Sequence, residues 1–367
     1  MAIPYNRVVT ATSSLSVRRT LRLNSRCLLH TTSATQATPV PHPTVPGPPP
    51  DAPQAAVTYA ADRVARKRQH VEALRQSQEA KANPAKPTSV LQKRFWKNVS
   101  VKETTEGLQI HLDTRPVRNS KRQVITLPPS KRALASAIAL EWDQLVNAQQ
   151  ALKQHYVPLT SLTSRATDLE TADADEGLGN KIRENIINTL MRYLATDTLL
   201  CWAPAQNRYS PDRPGVKSLR ERQKDIAEPI IAFLTAHIFP GLEIVPILGE
   251  DSIVPIAQPE ITRQVIRGWM SRLPANELAA LERGTLATKS VLVAARLLVE
   301  WSTEFAHLRT SQQAPDVAAE RFGIEAAAEA ASLEVLHQTA QWGEVEDTHD
   351  VDKEDLKRQL GSVVLIV

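Results

Sequence analysis

From residue 94 the chain begins to alternate. Val99 and Val101 are separated by polar residues, as are Leu108, Ile110 and Leu112, and Glu103-Thr104-Thr105-Glu106-Gly107 between them reads as a hairpin turn. Arg115-Pro116-Val117 and then Val124, Ile125 and Leu127 supply further short strands, and Pro128-Pro129 stops the sheet. Ser130 is placed to N-cap a helix, because Leu134, Ile138, Trp142 and Leu145 follow at helical spacing. A small antiparallel sheet with one face buried against that helix is expected, with Trp142 in its core.

Beyond Thr160 the period becomes that of helices. Ile182, Ile186, Leu190 and Leu194 form one stripe; Leu219, Ile226, Ile230, Phe233 and His237 form another, kinked or restarted at Pro229. Phe239-Pro240-Gly241 closes that segment, and a short extended piece is expected over 242–247. Helices follow near 260–272 and 276–283. Residues 285–301 are apolar on almost every side and predict one central buried helix. The last long helix, about 316–342, carries Ile324, Ala328, Ala331, Val335 and Trp342 on one face. An acidic helix comes next, and the apolar tail 363–367 predicts a terminal strand paired to the sheet. The fold class is therefore α+β: a small antiparallel β-rich N-terminal domain over 94–160 and a larger all-α C-terminal domain over 161–367.

Upstream of residue 94 the pattern fails. Eight prolines between 39 and 53 predict an extended linker, and 55–82 reads as a helix with too few large apolar residues to bury firmly. Residues 36–93 thus form a Pro-rich linker and basic helical spacer. Residues 1–50 contain no Asp or Glu, while Arg7, Arg18, Arg19, Arg22 and Arg26 recur among Ser, Thr and Leu. An Arg-rich, Ser-rich, acid-free start predicts an organelle transit peptide, and Arg26-Cys27-Leu28-Leu29-His30-Thr31 resembles a two-step mitochondrial processing pattern that would leave Gln36 first. A transit peptide over 1–35 is expected.

Charge first points elsewhere. The 367 residues carry 44 Lys+Arg against 40 Asp+Glu, a basic balance that would ordinarily raise nucleic acid as a partner. Residues 1–93 alone are net +9 and the remainder net −5, so the excess belongs to the address and linker. The run Arg63, Arg66, Lys67, Arg68 lacks the interleaved aromatics of a base-stacking surface. No nucleic acid and no stable membrane insertion are expected, since the longest apolar stretch, 291–301, falls short of the roughly 20 residues a span needs. Two cysteines, Cys27 and Cys201, make neither a disulfide framework nor a four-ligand zinc site.

Chemistry is sparse. Gly284-Thr285-Leu286-Ala287-Thr288-Lys289-Ser290 superficially suggests a phosphate loop, but Thr288 stands where glycine must precede the Lys-Ser pair, within a helical pattern. The dense polar constellation is Glu344, Glu346, Asp347, His349, Asp350, Asp352, Glu354 and Asp355. Three readings stay open for it: a metal-dependent hydrolase using His349 and Asp350, a solvated helix start whose carboxylates suit the dipole, and a docking surface. Glu334, Gln338 and Trp342, spaced by four, form a ridge along one side of the last long helix. Protein binding and plain burial of Trp342 fit that ridge equally well.

These residues together resemble a family, the mitochondrial and alpha-proteobacterial assembly chaperones for the alpha subunit of the F(1) head of ATP synthase. The resemblance runs from Arg94-Phe95-Trp96-Lys97-Asn98-Val99 through Leu112-Asp113-Thr114-Arg115-Pro116-Val117 and Ala139-Leu140-Glu141-Trp142. It continues in Pro158-Leu159-Thr160-Ser161-Leu162, Tyr193-Leu194-Ala195-Thr196-Asp197-Thr198, Lys289-Ser290, Glu334 and Trp342-Gly343-Glu344-Val345-Glu346 with His349-Asp350. Ala227-Glu228-Pro229 departs from the family's more usual Trp-Asp-Pro, and 149–156 is longer than typical. The resemblance implies a non-enzymatic, ATP-independent monomer of the mitochondrial matrix, without cofactor, metal or catalytic residue. It would hold the unassembled alpha subunit and shield its beta-facing surface until the hexamer forms. The family's functionally important C-terminal glutamate falls on Glu334, and the expected partner-binding residues are Glu334, Gln338, Trp342, Glu346 and Asp350.

Overall fold

The computed structural model describes residues 93–174, 179–204, 217–248, 254–310, 321–345 and 347–367, with Ala65, Arg68, Gln69, Val71 and Glu72, which are helical and exposed. The expected transit peptide 1–35 with Cys27, the Pro-rich linker, most of the basic spacer and Glu346 lie outside the described residues. Everything described belongs to one compact unit.

Strand β1 (Val99–Thr104) pairs antiparallel with β2 (Gly107–Leu112), from Val99 opposite Leu112 to Thr104 opposite Gly107. That register leaves Thr105-Glu106 as the turn. Two short strands, β3 (Arg115–Pro116) and β4 (Thr126–Leu127), also pair antiparallel with β2, making it the central strand. A Cβ on Gly107, whose φ is +139°, would lie 2.4 Å from the Leu127 carbonyl oxygen, so glycine is required where β2 meets β4. Leu108, Ile110 and Leu112 bury one face of the sheet against helix α1 (Arg132–Gln144), through its Leu134, Ala135 and Ile138. Ser130 does not cap α1. Pro128 is extended and Pro129–Lys131 form a 3-10 turn, so the fixed proline torsions carry the helix start beyond the serine.

The helices are α2 (Pro158–Ala174), α3 (Gly179–Leu194), α4 (Leu219–His237), α5 (Glu260–Arg272), α6 (Ala275–Thr288), α7 (Val291–Trp301), α8 (Ala306–Thr310), α9 (Ile324–Trp342) and α10 (His349–Ile366). The hub is α6, which packs on α2, α7, α9 and α10. Small side chains let it do so: Ala279, Ala280 and Gly284 are buried, and a Cβ on Gly284 would stand 3.0 Å from the Ala294 Cβ of α7. Pro229 lies inside α4, which runs through it.

Two further expectations change. The single helix over 285–301 is two, because Lys289 turns left-handed at φ 60° and Ser290 caps α7 by accepting the Val293 N–H at 3.0 Å. Burial on every side of both helices hid that break. The apolar tail is no strand but the end of α10, with Leu360, Val363, Ile366 and Val367 buried in the shared core and Lys131 donating to the Ile366 carbonyl at 3.0 Å. Tertiary burial overrides the β-propensity of its valines. The piece over 242–247 joins no strand, and the buried Gln258 side chain pairs with both backbone groups of Val245, at 3.0 and 2.6 Å.

Two carboxylates, the half-buried Glu141 and the fully buried Asp197, join the elements. Glu141 of α1 accepts the Leu159 and Thr160 N–H groups at 2.6 and 3.1 Å, satisfying orphan donors at the start of α2. Burial raises its pKa, opposed by those hydrogen bonds. Asp197 has no exposed surface and accepts the N–H groups of Leu199 at 3.0 Å, Val291 at 2.7 Å and Leu292 at 3.1 Å. Burial pushes its pKa up to about 6, against the pull of hydrogen bonds from Ser290 and these backbone groups.

Asp197→Ala would strand three buried donors and is expected to cost about 3–5 kcal/mol in urea unfolding. With its folded pKa raised, Asp197 binds its proton more tightly folded than unfolded. Its contribution to stability is thus fully present below about pH 4 and falls as pH rises through about 6, whereas Asp197→Asn lacks this slope. The stability difference between wild type and Asp197→Asn should accordingly narrow between those pH values. Val363→Asp, burying an unpaired charge, is expected to cost more than about 4 kcal/mol; if 363–367 were a loosely held tail, its unfolding midpoint would not move.

Candidate functional site

Helix α9 buries Ala327, Ala328, Ala330 and Leu333 and leaves its opposite side to solvent. Burial follows three alanines and Leu333: Val335 and Trp342, expected on the packed face, are both exposed, Trp342 at 55%. Glu334 and Gln338 are exposed as well, and the Gln338 amide donates to the Glu334 carboxylate at 3.2 Å. Their spacing of four sets these two side by side, with Trp342 one turn further on. Residue 334 also faces the 3-10 turn Thr198–Leu200 and the residue after it: the Cys201 thiol is pushed up by burial first and by the Asp197 and Glu334 charges next. A half-buried thiol so disfavoured as thiolate is a packing group, not a nucleophile.

On the adjoining side His337 meets α4. Burial and the nearby Arg222 charge lower its pKa, with Glu334 opposing, so the imidazole is neutral at physiological pH. Gly343, at φ +88°, ends α9 and turns the chain toward α10. The elbow displays Val345 at 59% exposure and, one turn into α10, exposed Val351. Trp342, Val345 and Val351 are thus three large apolar side chains in solvent around one bend, a feature that marks interaction surfaces. Sequence spacing does not single out Val345 and Val351, because Gly343 ends the helix before either of them.

Asp350 sits in the first turn of α10, half-buried, and lines a cleft of about 500 Å³ with Glu344, Lys353 and Arg358 among others. Of the five expected partner-binding residues, Glu334, Gln338 and Trp342 share the open side of α9, Asp350 lies across the elbow, and Glu346 is outside the described residues. His349 accepts the Val345 N–H on Nδ1 at 2.9 Å, which closes the turn into α10. Among the described residues no three His, Cys, Asp or Glu side chains converge as metal ligands would. Lys289, from the phosphate-loop lookalike, is exposed, and its neighbours build a helix junction.

The comparisons agree with one another. A family model described as ATP12 chaperone protein matches residues 93–235. A mitochondrial protein of Schizosaccharomyces pombe named atp12 is 31% identical over 274 residues, covering 75% of this chain and 81% of its own length. The mitochondrial ATP12 of Saccharomyces cerevisiae is 32% identical over 286 residues, covering 74% and 82%. A crystal structure from Agrobacterium tumefaciens aligns with 81% of this chain and 97% of its own at 20% identity and a TM-score of 0.50, a likeness of fold.

Because the ridge is solvent-facing, Trp342→Ala and Glu334→Ala should each leave urea stability within about 0.5 kcal/mol of wild type. A loss of more than about 2 kcal/mol from either would make the ridge part of the core.

Proposed function

The chain belongs to the ATP12 chaperone family, and from that membership we propose that it is an assembly chaperone for the F(1) sector of mitochondrial ATP synthase, acting in the matrix. It binds the unassembled alpha subunit and shields the surface later taken by the beta subunit. It works as a monomer, without catalysis, nucleotide or metal. The observation that carries this reading is the exposed polar-aromatic ridge Glu334, Gln338 and Trp342, continued around the elbow by Val345. Asp350 stands across the elbow from it, in the first turn of α10.

The physical logic is that of a holdase. An orphan subunit of an obligate hexamer exposes a large apolar interface and would aggregate. A transient cover needs aromatic and aliphatic anchors, rimmed by charge that sets orientation, and an affinity low enough for the true neighbour to displace it. The ridge has both kinds of group. Its carboxylates suit a partner patch carrying Lys or Arg, which matches the net −5 of residues 94–367.

Glu334→Lys is expected to keep the fold and to weaken co-purification of the alpha subunit from matrix extract by about tenfold, with beta not retained in either case. Undiminished capture by this variant would remove Glu334 from the interface. Retention of beta in place of alpha by the wild type would overturn the choice of partner.

A further inference from the structure

A second cleft, of about 540 Å³, opens on the β-sheet side of the molecule, between β2, β3, the end of α1 and the 3-10 turn Gln150–Leu152. Its lining is apolar apart from two arginines. Trp96 and Trp142 meet edge to face with ring centroids 5.6 Å apart. Their N–H groups are already used, Trp96 donating to the Trp142 carbonyl at 3.3 Å and Trp142 to the Thr160 hydroxyl at 2.9 Å, so the half-buried Trp142 ring, backed by the buried Trp96, offers an occupant apolar surface alone. At the mouth Phe95 is 49% exposed and Leu152 81%. Large apolar groups this open beside an apolar hollow are a protein-contact signature.

The wall is preformed. Arg94 is buried and donates to the carbonyls of Trp96 at 3.1 Å, Lys97 at 2.7 Å and Leu145 at 3.3 Å, while pairing with the Asp143 carboxylate at 3.0 Å. Every face of that guanidinium is spent on fixing the segment 94–97 to the end of α1, so an occupant need not order the wall. The rim is cationic. Arg115 lies 6.0 Å over the Phe95 ring and Arg118 donates to the Arg122 carbonyl at 2.8 Å. Among the described residues neither has a carboxylate partner, whereas nearby Lys121 pairs with Asp168 and Arg132 with Glu103.

An apolar hollow with two uncompensated guanidinium groups at its edge selects its ligand by both properties at once. We propose that this cleft docks a polypeptide segment presenting a large apolar side chain with carboxylates beside it, the apolar group entering between Phe95, Trp142 and Leu152 and the carboxylates meeting Arg115 and Arg118. The surface is separate from the α9 ridge and does not depend on the identity of the partner bound there.

The test is fluorescence anisotropy of the full chain with a labelled peptide bearing Leu-Phe between pairs of Glu, against the same peptide with Lys replacing Glu. The acidic peptide is expected to bind at least about tenfold more tightly, and the double variant Arg115→Glu, Arg118→Glu to reverse that preference. Leu152→Asp, at an open position, should weaken binding about tenfold without moving the urea midpoint, while Glu334→Lys leaves it unchanged. Equal affinity for both peptides, or binding indifferent to these cleft variants, would overturn the proposal. So would self-association in sedimentation that Leu152→Asp abolishes, since a second copy would then own the cleft.

Discussion

The Asp197 carboxylate is the point on which the helical part of the molecule turns. It leaves α3 through a tight 3-10 turn, reaches across 94 residues of sequence, and accepts the first N–H groups of α7. Around it Thr198 donates to the carbonyls of Thr288 and Lys289, and Thr288 in turn hydrogen-bonds the backbone of Gly284 and Ser290. The result is a polar knot inside an otherwise aliphatic bundle. Apolar packing alone would let α6 and α7 slide along or merge into one rod; a satisfied buried network allows one arrangement. Because α6 is the hub for α2, α9 and α10, its endpoint sets theirs.

The same knot reaches the surface. Thr198–Leu200 leads to Cys201, and Cys201 lies close enough to Glu334 for its thiol to feel that charge. Helix α9 packs on that turn, so the helix bearing the ridge is a neighbour of the knot. Glu141 plays the matching part at the other junction, holding the start of α2 to α1 and bringing Thr160 to the Trp142 indole. Within the blocks Tyr193 to Thr198, Lys289-Ser290 and Glu141-Trp142, which carry the family resemblance, Asp197, Ser290 and Glu141 are joints, since their side chains accept backbone N–H groups.

Much of the fold was legible because its elements are local. The hairpin, the helix bearing Leu134 and Ile138, and the stripes through Ile186 and Leu190 each announce themselves by period. What was hidden depends on contacts distant in sequence. Nothing near Val363 says that α6 will cover it, so five apolar residues with β-branches read as strand; nothing in the largely apolar run 285–301 says that a carboxylate from residue 197 meets its middle. The candidate ridge was legible as a spacing of Glu334, Gln338 and Trp342, but its openness was not. The alanines of α9 settle it, since Ala327, Ala328 and Ala330 allow the close helix approach that turns Val335 and Trp342 outward. The apolar cleft beside Phe95 was illegible for the complementary reason: its walls come from β2, α1 and the 150–152 turn, which only the fold brings together.

Exposing Trp342, Val345 and Val351 around one elbow carries a hazard, since apolar groups left open for a partner will also meet copies of themselves. The sequence around them answers it. Asp347, Asp350, Asp352, Glu354 and Asp355 surround Val351 within a few residues, and like charge at that density repels a second copy while attracting a cationic partner. Placed in the first turns of α10, several of these carboxylates also meet the positive end of its dipole, so they stabilise the helix that bears them. One group of charges therefore stabilises the start of α10 and, under the proposed function, would disfavour a second copy and favour a cationic partner. The two cations beside the Phe95 cleft have the opposite sign, so under the two proposals the elbow and the cleft would take segments of opposite charge. A client that engaged both would have to present an acidic and a basic feature at the matching distance, which is a stricter demand than either patch makes alone.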